Sequence, residues 1–489
     1  MSEMAARRAD APAQERLSLR GNGIILLEMA FIALMVMFIE IMLVPALPGI
    51  AMQYPEDAEW VSWVLSAYLL VGAVATPIIG RLGDMYGKKR VMVLSMVAYT
   101  IGLIGCGLSW SLPSLIAFRA LQGVGMGIFP LAYGIVRDTF PSRMIPMAIG
   151  IISSMFSIGV SIGLLGGGWI VETYDWKTAF DVVWPLMALT TLLVFFTIKE
   201  SPVRKNLKLD WLGTFLLGGG VFVLLFDLTQ GEEWGWTEPV TIGMFILSAV
   251  LIVSFIFWEK RIKNPIVSMR LMAHRGIAGA NFAALFVGLG MFMLFQSLPY
   301  FLMSSEAVGG LAIDNTFTVG LYMFPSAVAQ LLFAPMIGRW SRKIGADATL
   351  AIGMVLMTIG YGLIVLFHAN ELQIMATMFV FGAGLGFAMV SLISVVAMAS
   401  PKQDFGVASG MNTLFRIVGG SVGPVIGAAI MATFVVSMNV GPVMMDVTSE
   451  DGYVWTWIAG MAFCLVGFLV TVMFRPGKGL DYENEVDPE

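Results

Sequence analysis

Runs of about 20 apolar residues recur along the whole chain, and short stretches between them hold nearly all of its charge. About 20 residues is what a helix needs to cross the hydrocarbon core of a bilayer. The chain is 58% hydrophobic and only 12% charged. A soluble domain carries about 25% charged residues, so a soluble fold could not hide this much apolar surface. The alternation of a transmembrane barrel is absent, which leaves helices as the spanning element. Fourteen spans are predicted, over 24–46, 60–80, 91–110, 113–136, 146–170, 178–198, 210–229, 239–258, 276–303, 317–338, 348–368, 372–399, 406–436 and 453–474. An all-α membrane protein is therefore expected.

The cations test this count. Of 28 Lys and Arg, 25 fall on one side of the predicted topology, Lys177 alone falls on the other, and Arg119 and Arg416 lie inside spans. Lys and Arg accumulate on the cytoplasmic side, so both termini are expected there and the span number is even. The polar segment 1–23 precedes a full span and reads as a tail, not a cleaved signal.

Three glycine patterns repeat at nearly one offset. Gly80-Arg81 and Gly87 return as Gly338-Arg339 and Gly345. Gly123, Gly125 and Gly127 return as Gly382, Gly384 and Gly386, and Gly159 and Gly163 return as Gly419 and Gly423. The offset equals eight spans, so the two copies keep one orientation, as in a parallel repeat. The division that follows is an N-tail over 1–23 and a six-helix bundle over 24–198. Two inserted helices with their linkers cover 199–275, a second six-helix bundle 276–474, and a C-tail 475–489.

Several motifs carry chemistry. The segment Gly80-Arg81-Leu82-Gly83-Asp84-Met85-Tyr86-Gly87-Lys88-Lys89-Arg90 is read as a loop between spans two and three, with Asp84 among four cations. In span four, Arg119, Gln122, Met126, Pro130 and Tyr133 lie along one helix face. A guanidinium there is costly unless it faces a cavity or a carboxylate. In span five, Gly159, Gly163 and Gly167 are four apart and let helix backbones touch. Gly419, Gly423 and Pro424 repeat the pattern in span thirteen. Span one carries Glu40 deep within it. Burying its charge costs desolvation, which suits it to taking up and releasing a proton.

The 80–90 segment resembles the signature of the major facilitator superfamily, and the resemblance runs through the whole chain. It implies the major facilitator fold: fourteen helices as two six-helix bundles plus two extra central helices. In that family the loop latches the halves together in the outward-facing state, which would involve Gly80, Arg81, Gly83, Asp84, Gly87, Lys88 and Arg90, with Asp138 as a further member. The second copy has Ser341 and Arg342 where the first has Gly83 and Asp84, and is expected to latch less. The span-four pattern is similar to the motif whose arginine is tied to proton coupling, and the span-five pattern to the antiporter signature, with Leu164 where that signature has proline. The first-span pattern, Trp60 to Tyr68 and the span count together resemble the fourteen-spanner drug:proton antiporters, with Glu40 where they usually have Asp.

Proton coupling is thus expected at Glu40, with Arg119 modulating how it holds its proton. The substrate cavity is expected to draw on Glu40, Arg119, Gln122, Met126 and Tyr133 from the first half, and on Asn281, Gln296, Gln330, Asn412 and Arg416 from the second. The second-half counterparts of Glu40 and Arg119 fall near Leu298 and Met378, which places the ionisable chemistry in the first half. Asp227 and Glu306, near outer span ends, read as solvated rim residues. Cys106, Cys464, His274 and His368 suggest neither disulfide nor metal site. No phosphate-binding loop or basic run points to ATP or nucleic acid.

The expected function is a proton-coupled exporter of hydrophobic or cationic drug-like compounds. It would be a multi-pass plasma-membrane monomer in contact with lipid, with the proton as coupling ion and no cofactor. Export of a lipid or endogenous metabolite on the same fold is the alternative. A non-transporting membrane sensor is a remoter one, and an enzyme is not expected.

Overall fold

The structure is a computed structural model describing residues 19–43, 50, 53–54, 60–61, 63–141, 144–200, 210–262, 265, 267–401, 404–440 and 443–474. The tails 1–18 and 475–489, Pro45 to Pro48 and the linker 201–209 lie outside the described residues, as do the side chains of Leu164 and Arg342. The long helices are α1 (Leu19–Met42), α2 (Trp63–Tyr86), α3 (Lys88–Gly107), α4 (Leu112–Thr139), α5 (Ile145–Thr173), α6 (Trp176–Thr197) and α7 (Trp211–Trp234). They continue as α8 (Pro239–Glu259), α9 (Arg275–Met303), α10 (Thr316–Ile344), α11 (Ala346–Leu366), α12 (Glu371–Ala399), α13 (Phe405–Thr433) and α14 (Glu450–Met473). Among the described residues twelve of these are long and apolar enough to cross a membrane. The sequence predicts fourteen; α5 and α10 make the difference, and both include residues outside the description.

Start signals agree with capping chemistry. Ser111 and Ser114 form a reciprocal capping box at α4, and Asn370 Oδ1 accepts from the Gln373 amide at α12. In α4 the glycines at 123–127 tighten one turn into a 3-10 helix; α12 stays α-helical through the equivalent glycines.

The repeated glycines mark repeated packing. Gly123 lies on the α2 backbone at Tyr68 and Gly72, as Gly382 lies on α10 at Ser326. Gly159 and Gly163 press on α1 at Leu34 and Phe38, as Gly419 and Gly423 press on α9 at Leu285 and Leu289. Without a side chain at these points the backbones approach closely, which in lipid replaces hydrophobic burial as the source of helix association. α5 packs on α10 and α2 on α13, so these two seams join the first six helices to the last six. The inserted helices α7 and α8 pack on each other, and α7 also lies against α2 and α13.

Two local expectations need correction. Residues 81–86 are not loop: α2 continues through Tyr86, because Arg81 and Asp84 find buried partners and do not require water. The turn is Gly87 alone, at φ 106° and ψ 133°, and Gly345 repeats it at φ 93° and ψ 153°. The predicted thirteenth span ends early: α13 stops at Thr433, and an antiparallel hairpin pairs Val435–Val440 with Val443–Thr448. Its valines and methionines continue the apolar run in sequence, which hid the change to strand.

The two glycine turns differ in surroundings. A methyl group at Gly87 would meet the Glu200 carboxylate at 2.5–2.8 Å, whereas one at Gly345 meets nothing within 4 Å. That carboxylate caps α3, accepting from the Lys89 and Arg90 amides at 3.1 and 3.0 Å. Both Gly→Ala changes incur backbone strain of about 1–3 kcal/mol. Only Gly87→Ala also displaces a helix cap, worth about 1 kcal/mol. Thermal unfolding in detergent should therefore rank wild type above Gly345→Ala above Gly87→Ala. Equal losses would mean that the Glu200 cap contributes nothing.

Candidate transport site

Glu40 lies on α1, 6% exposed, and Arg119 on α4, fully buried. Two bonds and a ring hold Arg119. Its Nε donates to the Val64 carbonyl at 2.9 Å and its Nη1 to Gln122 Oε1 at 2.7 Å, and the guanidinium sits 4.7 Å from the Tyr68 ring centre. Gln122 in turn donates to Cys106 Sγ at 3.4 Å. This arginine does not reach for an interface.

Four buried polar atoms in this region have no hydrogen-bond partner: Glu40 Oε2, Arg119 Nη2, and the hydroxyls of Tyr68 and Tyr99. The Tyr68 hydroxyl lies toward Glu40 without a hydrogen bond of normal geometry.

The second half reaches the same place. Arg416 on α13, 7% exposed, acts electrostatically on Glu40 and on Tyr133. The ionisable groups are therefore not confined to the first half, as the repeat alignment with Leu298 and Met378 suggests. Alignment compares α1 with α9 and α4 with α12, but Arg416 comes from α13. Between α4, α12 and α13 is a small pocket of about 10 Å³, room for roughly one water molecule. Phe129, Tyr133, Met389, Leu392 and Ile393 form its mostly apolar walls, and Asn412, Thr413 and Arg416 its polar side.

The other expected cavity residues are distributed around it. Asn412 donates to Asn281 Oδ1 at 3.2 Å and to the Ala280 carbonyl at 2.9 Å, which joins α13 to α9. Gln330 is buried where Gly386 packs on α10, Gln296 is half-buried on α9, and Met126 fills the space left by Gly72. Tyr99, Phe129, Thr413 and the α12 residues are not signalled by any motif. Asp227 is not a solvated rim residue: it is fully buried on α7, and neither carboxylate oxygen has a hydrogen-bond partner. Glu306 is exposed.

One end of the bundle holds the Gly87 turn and its cations, and there the halves are tied together. Asp84, 1% exposed, accepts from the backbone N–H groups of Gly406 and Val407 at 3.3 and 3.1 Å. These are unpaired donors of the first turn of α13, where the helix dipole also favours an anion. The crossing is close because Gly80 meets the Gly406 backbone directly. Arg81 pairs with Asp404 at 3.6 Å and donates to the Pro265 carbonyl at 2.9 Å, so the linker after α8 is bound as well. Lys88 backs Asp84 from 3.9 Å while holding Asp138 at 2.7 Å. Gly83 packs on Leu131 within the first half. The side chain of Arg90 is exposed and is not brought into this network, because it projects from the outer face of α3.

The sequence did not single out Arg137 for this interface. It donates to the Ser400 carbonyl at 2.8 Å and covers the Phe405 ring at 4.6 Å. Its position next to Asp138 was the only available hint.

Comparison with known proteins agrees with this architecture. The family model described as Major Facilitator Superfamily matches residues 29–311 and 280–487. The chain is 28% identical over 374 residues to the Multidrug transporter protein MdtP of Bacillus subtilis (strain 168), covering 76% of this chain and 68% of that one. It is 26% identical over 407 residues to the Multidrug resistance protein Stp of Mycobacterium tuberculosis (strain CDC 1551 / Oshkosh), covering 82% and 75%. In fold it is similar to the human organic anion transporter MFSD10 (TETRAN), with a TM-score of 0.64 at 18% identity over 94% of this chain and 100% of that one. The chain belongs to the Major Facilitator Superfamily and is a secondary transporter, not an enzyme.

Proposed function

We propose that this transporter is a fourteen-span exporter of hydrophobic drug-like compounds, driven by protons moving inward in exchange. The observation that carries this reading is Glu40: a deeply buried carboxylate within electrostatic range of Arg119 from the first half and Arg416 from the second. A proton carrier in an alternating-access machine needs this placement, because a change in the relation of the halves changes its neighbours. The cation-rich end is the cytoplasmic one, by the positive-inside rule. With Asp84 seated on α13 that end is shut, which supports an outward-facing or occluded conformation. Relatives named as multidrug transporters support the export of drug-like molecules.

The protein is expected to act as a monomer in the plasma membrane, with both termini in the cytoplasm. Purified protein in proteoliposomes under an imposed pH gradient should accumulate a hydrophobic fluorescent substrate on the acidic side. A protonophore should reverse that accumulation within the same trace. Accumulation that is indifferent to the protonophore sinks the proton-driven reading.

A further inference from the structure

A groove of about 340 Å³ opens on the outside of the first bundle, between α2, α3 and α4. That is within the usual size of a small-molecule site, about 300–1,000 Å³. Helical spacing builds it: Ile79, Leu82 and Tyr86 line it from α2, and Arg90, Val91, Leu94 and Ser95 from α3. Val124, in the tightened turn of α4, completes it. Tyr86 and Leu94 are more than half exposed, so the groove is open to the surrounding bilayer.

Its polarity is one-sided. Tyr86 and Arg90 flank the Gly87 turn at the cation-rich end, and beyond them the walls are apolar except for the buried Ser95. Ile79 lies seven residues from Tyr86 on α2, so the apolar part runs about 10 Å into the bilayer. The neighbouring cations are engaged elsewhere, Lys88 with Asp138 and Lys89 over the Phe195 ring at 5.2 Å. The Glu200 carboxylate is held by the Lys89 and Arg90 backbone amides. The Arg90 side chain is exposed and makes no hydrogen bond or ion pair among the described residues. Its guanidinium therefore keeps its donors for a phosphate, which such a fork binds well, and the apolar slot beside it suits an acyl chain. A choline headgroup would bring a second cation to Arg90, whereas an anionic headgroup would not. Anionic lipids are a feature of the cytoplasmic leaflet, the side on which Lys and Arg accumulate. The second bundle lacks the cation: counted from the Gly345 turn, Ala348 stands where Arg90 does.

We infer that this groove binds an anionic phospholipid of the cytoplasmic leaflet, with its headgroup on Arg90 and an acyl chain between α2 and α3. Native mass spectrometry tests it, on protein in detergent with equal amounts of phosphatidylglycerol and phosphatidylcholine of identical chains. Wild type should retain phosphatidylglycerol about fivefold in preference, the effect of one basic residue at an anionic lipid surface. Arg90→Gln should bring the two lipids to parity, and Arg90→Lys should keep most of the preference. Leu94→Trp fills the slot and leaves Arg90 in place. Because Leu94 is 63% exposed, this change spares the packing inside the bundle, and retention of phosphatidylglycerol should fall with it. Arg339→Gln removes another exposed cation of the same end, on α10, and should leave the preference as in wild type. Equal retention of both lipids by wild type overturns the assignment. A loss in Arg339→Gln as large as in Arg90→Gln also overturns it, since the preference then belongs to the cation-rich end as a whole. Full retention in Leu94→Trp removes the groove as the seat of the lipid.

Discussion

Replacing Glu40 by Gln should abolish uphill export while leaving downhill movement of substrate in place. The amide has nearly the same shape, so the packing of α1 against α5 is kept. It cannot take up and release a proton, so the free energy linking proton to substrate disappears. Couplings of this kind amount to about 1–3 kcal/mol, or roughly 5–150-fold in affinity. Substrate counterflow without a gradient should continue, and gradient-driven accumulation should fall to that of empty liposomes. Measuring both in one preparation separates lost coupling from lost protein. Accumulation at the wild-type level in Glu40→Gln would remove Glu40 from the coupling role.

Asp84→Ala should open the cation-rich end. The substitution leaves the Gly406 and Val407 amides at the start of α13 without their acceptor, and leaves Lys88 with Asp138 alone. Hydrogen bonds to a charged group contribute about 1.5–3 kcal/mol each. Losing two removes about 3 kcal/mol or more from the closed state, roughly a hundredfold change in population. Ser409, buried on α13 one turn from the latch, is a suitable reporter. A cysteine at position 409 should react with an impermeant maleimide applied at the cation-rich end in Asp84→Ala, and stay protected otherwise. The native Cys106 and Cys464 are buried and should contribute little background. Unchanged protection would mean that Arg81, Arg137 and the glycine crossing hold this end closed without Asp84.

The parts of this arrangement that are visible in the sequence are those with a local physical cause. Helix positions follow from the thickness of the bilayer, and the glycine repeat follows from backbone contacts that tolerate no side chain. Asp84 stands out because a carboxylate among cations between two spans is conspicuous. Its acceptor role toward Gly406 and Val407 does not, since those donors are bare amides more than 320 residues away. Arg416 is visible as an intramembrane charge, but its direction depends on how α13 rotates against α1 and α4. Asp227 is buried and not solvated, because distance from a span end predicts solvation only where no neighbouring element covers the position. Helix α2 overran its predicted end for a related reason: its charged last turn is solvated by protein.

The inserted pair α7 and α8 has a consequence for the surrounding lipid. Of the two seams between the halves, the α2–α13 seam has α7 laid against it, fastened by the Trp63 Nε1–H bond to Gln230 Oε1 at 3.1 Å. No inserted helix lies against the α5–α10 seam among the described residues. Among the described residues, α7 therefore shields the α2–α13 joint in part from surrounding acyl chains, while the α5–α10 joint has no such helix laid against it.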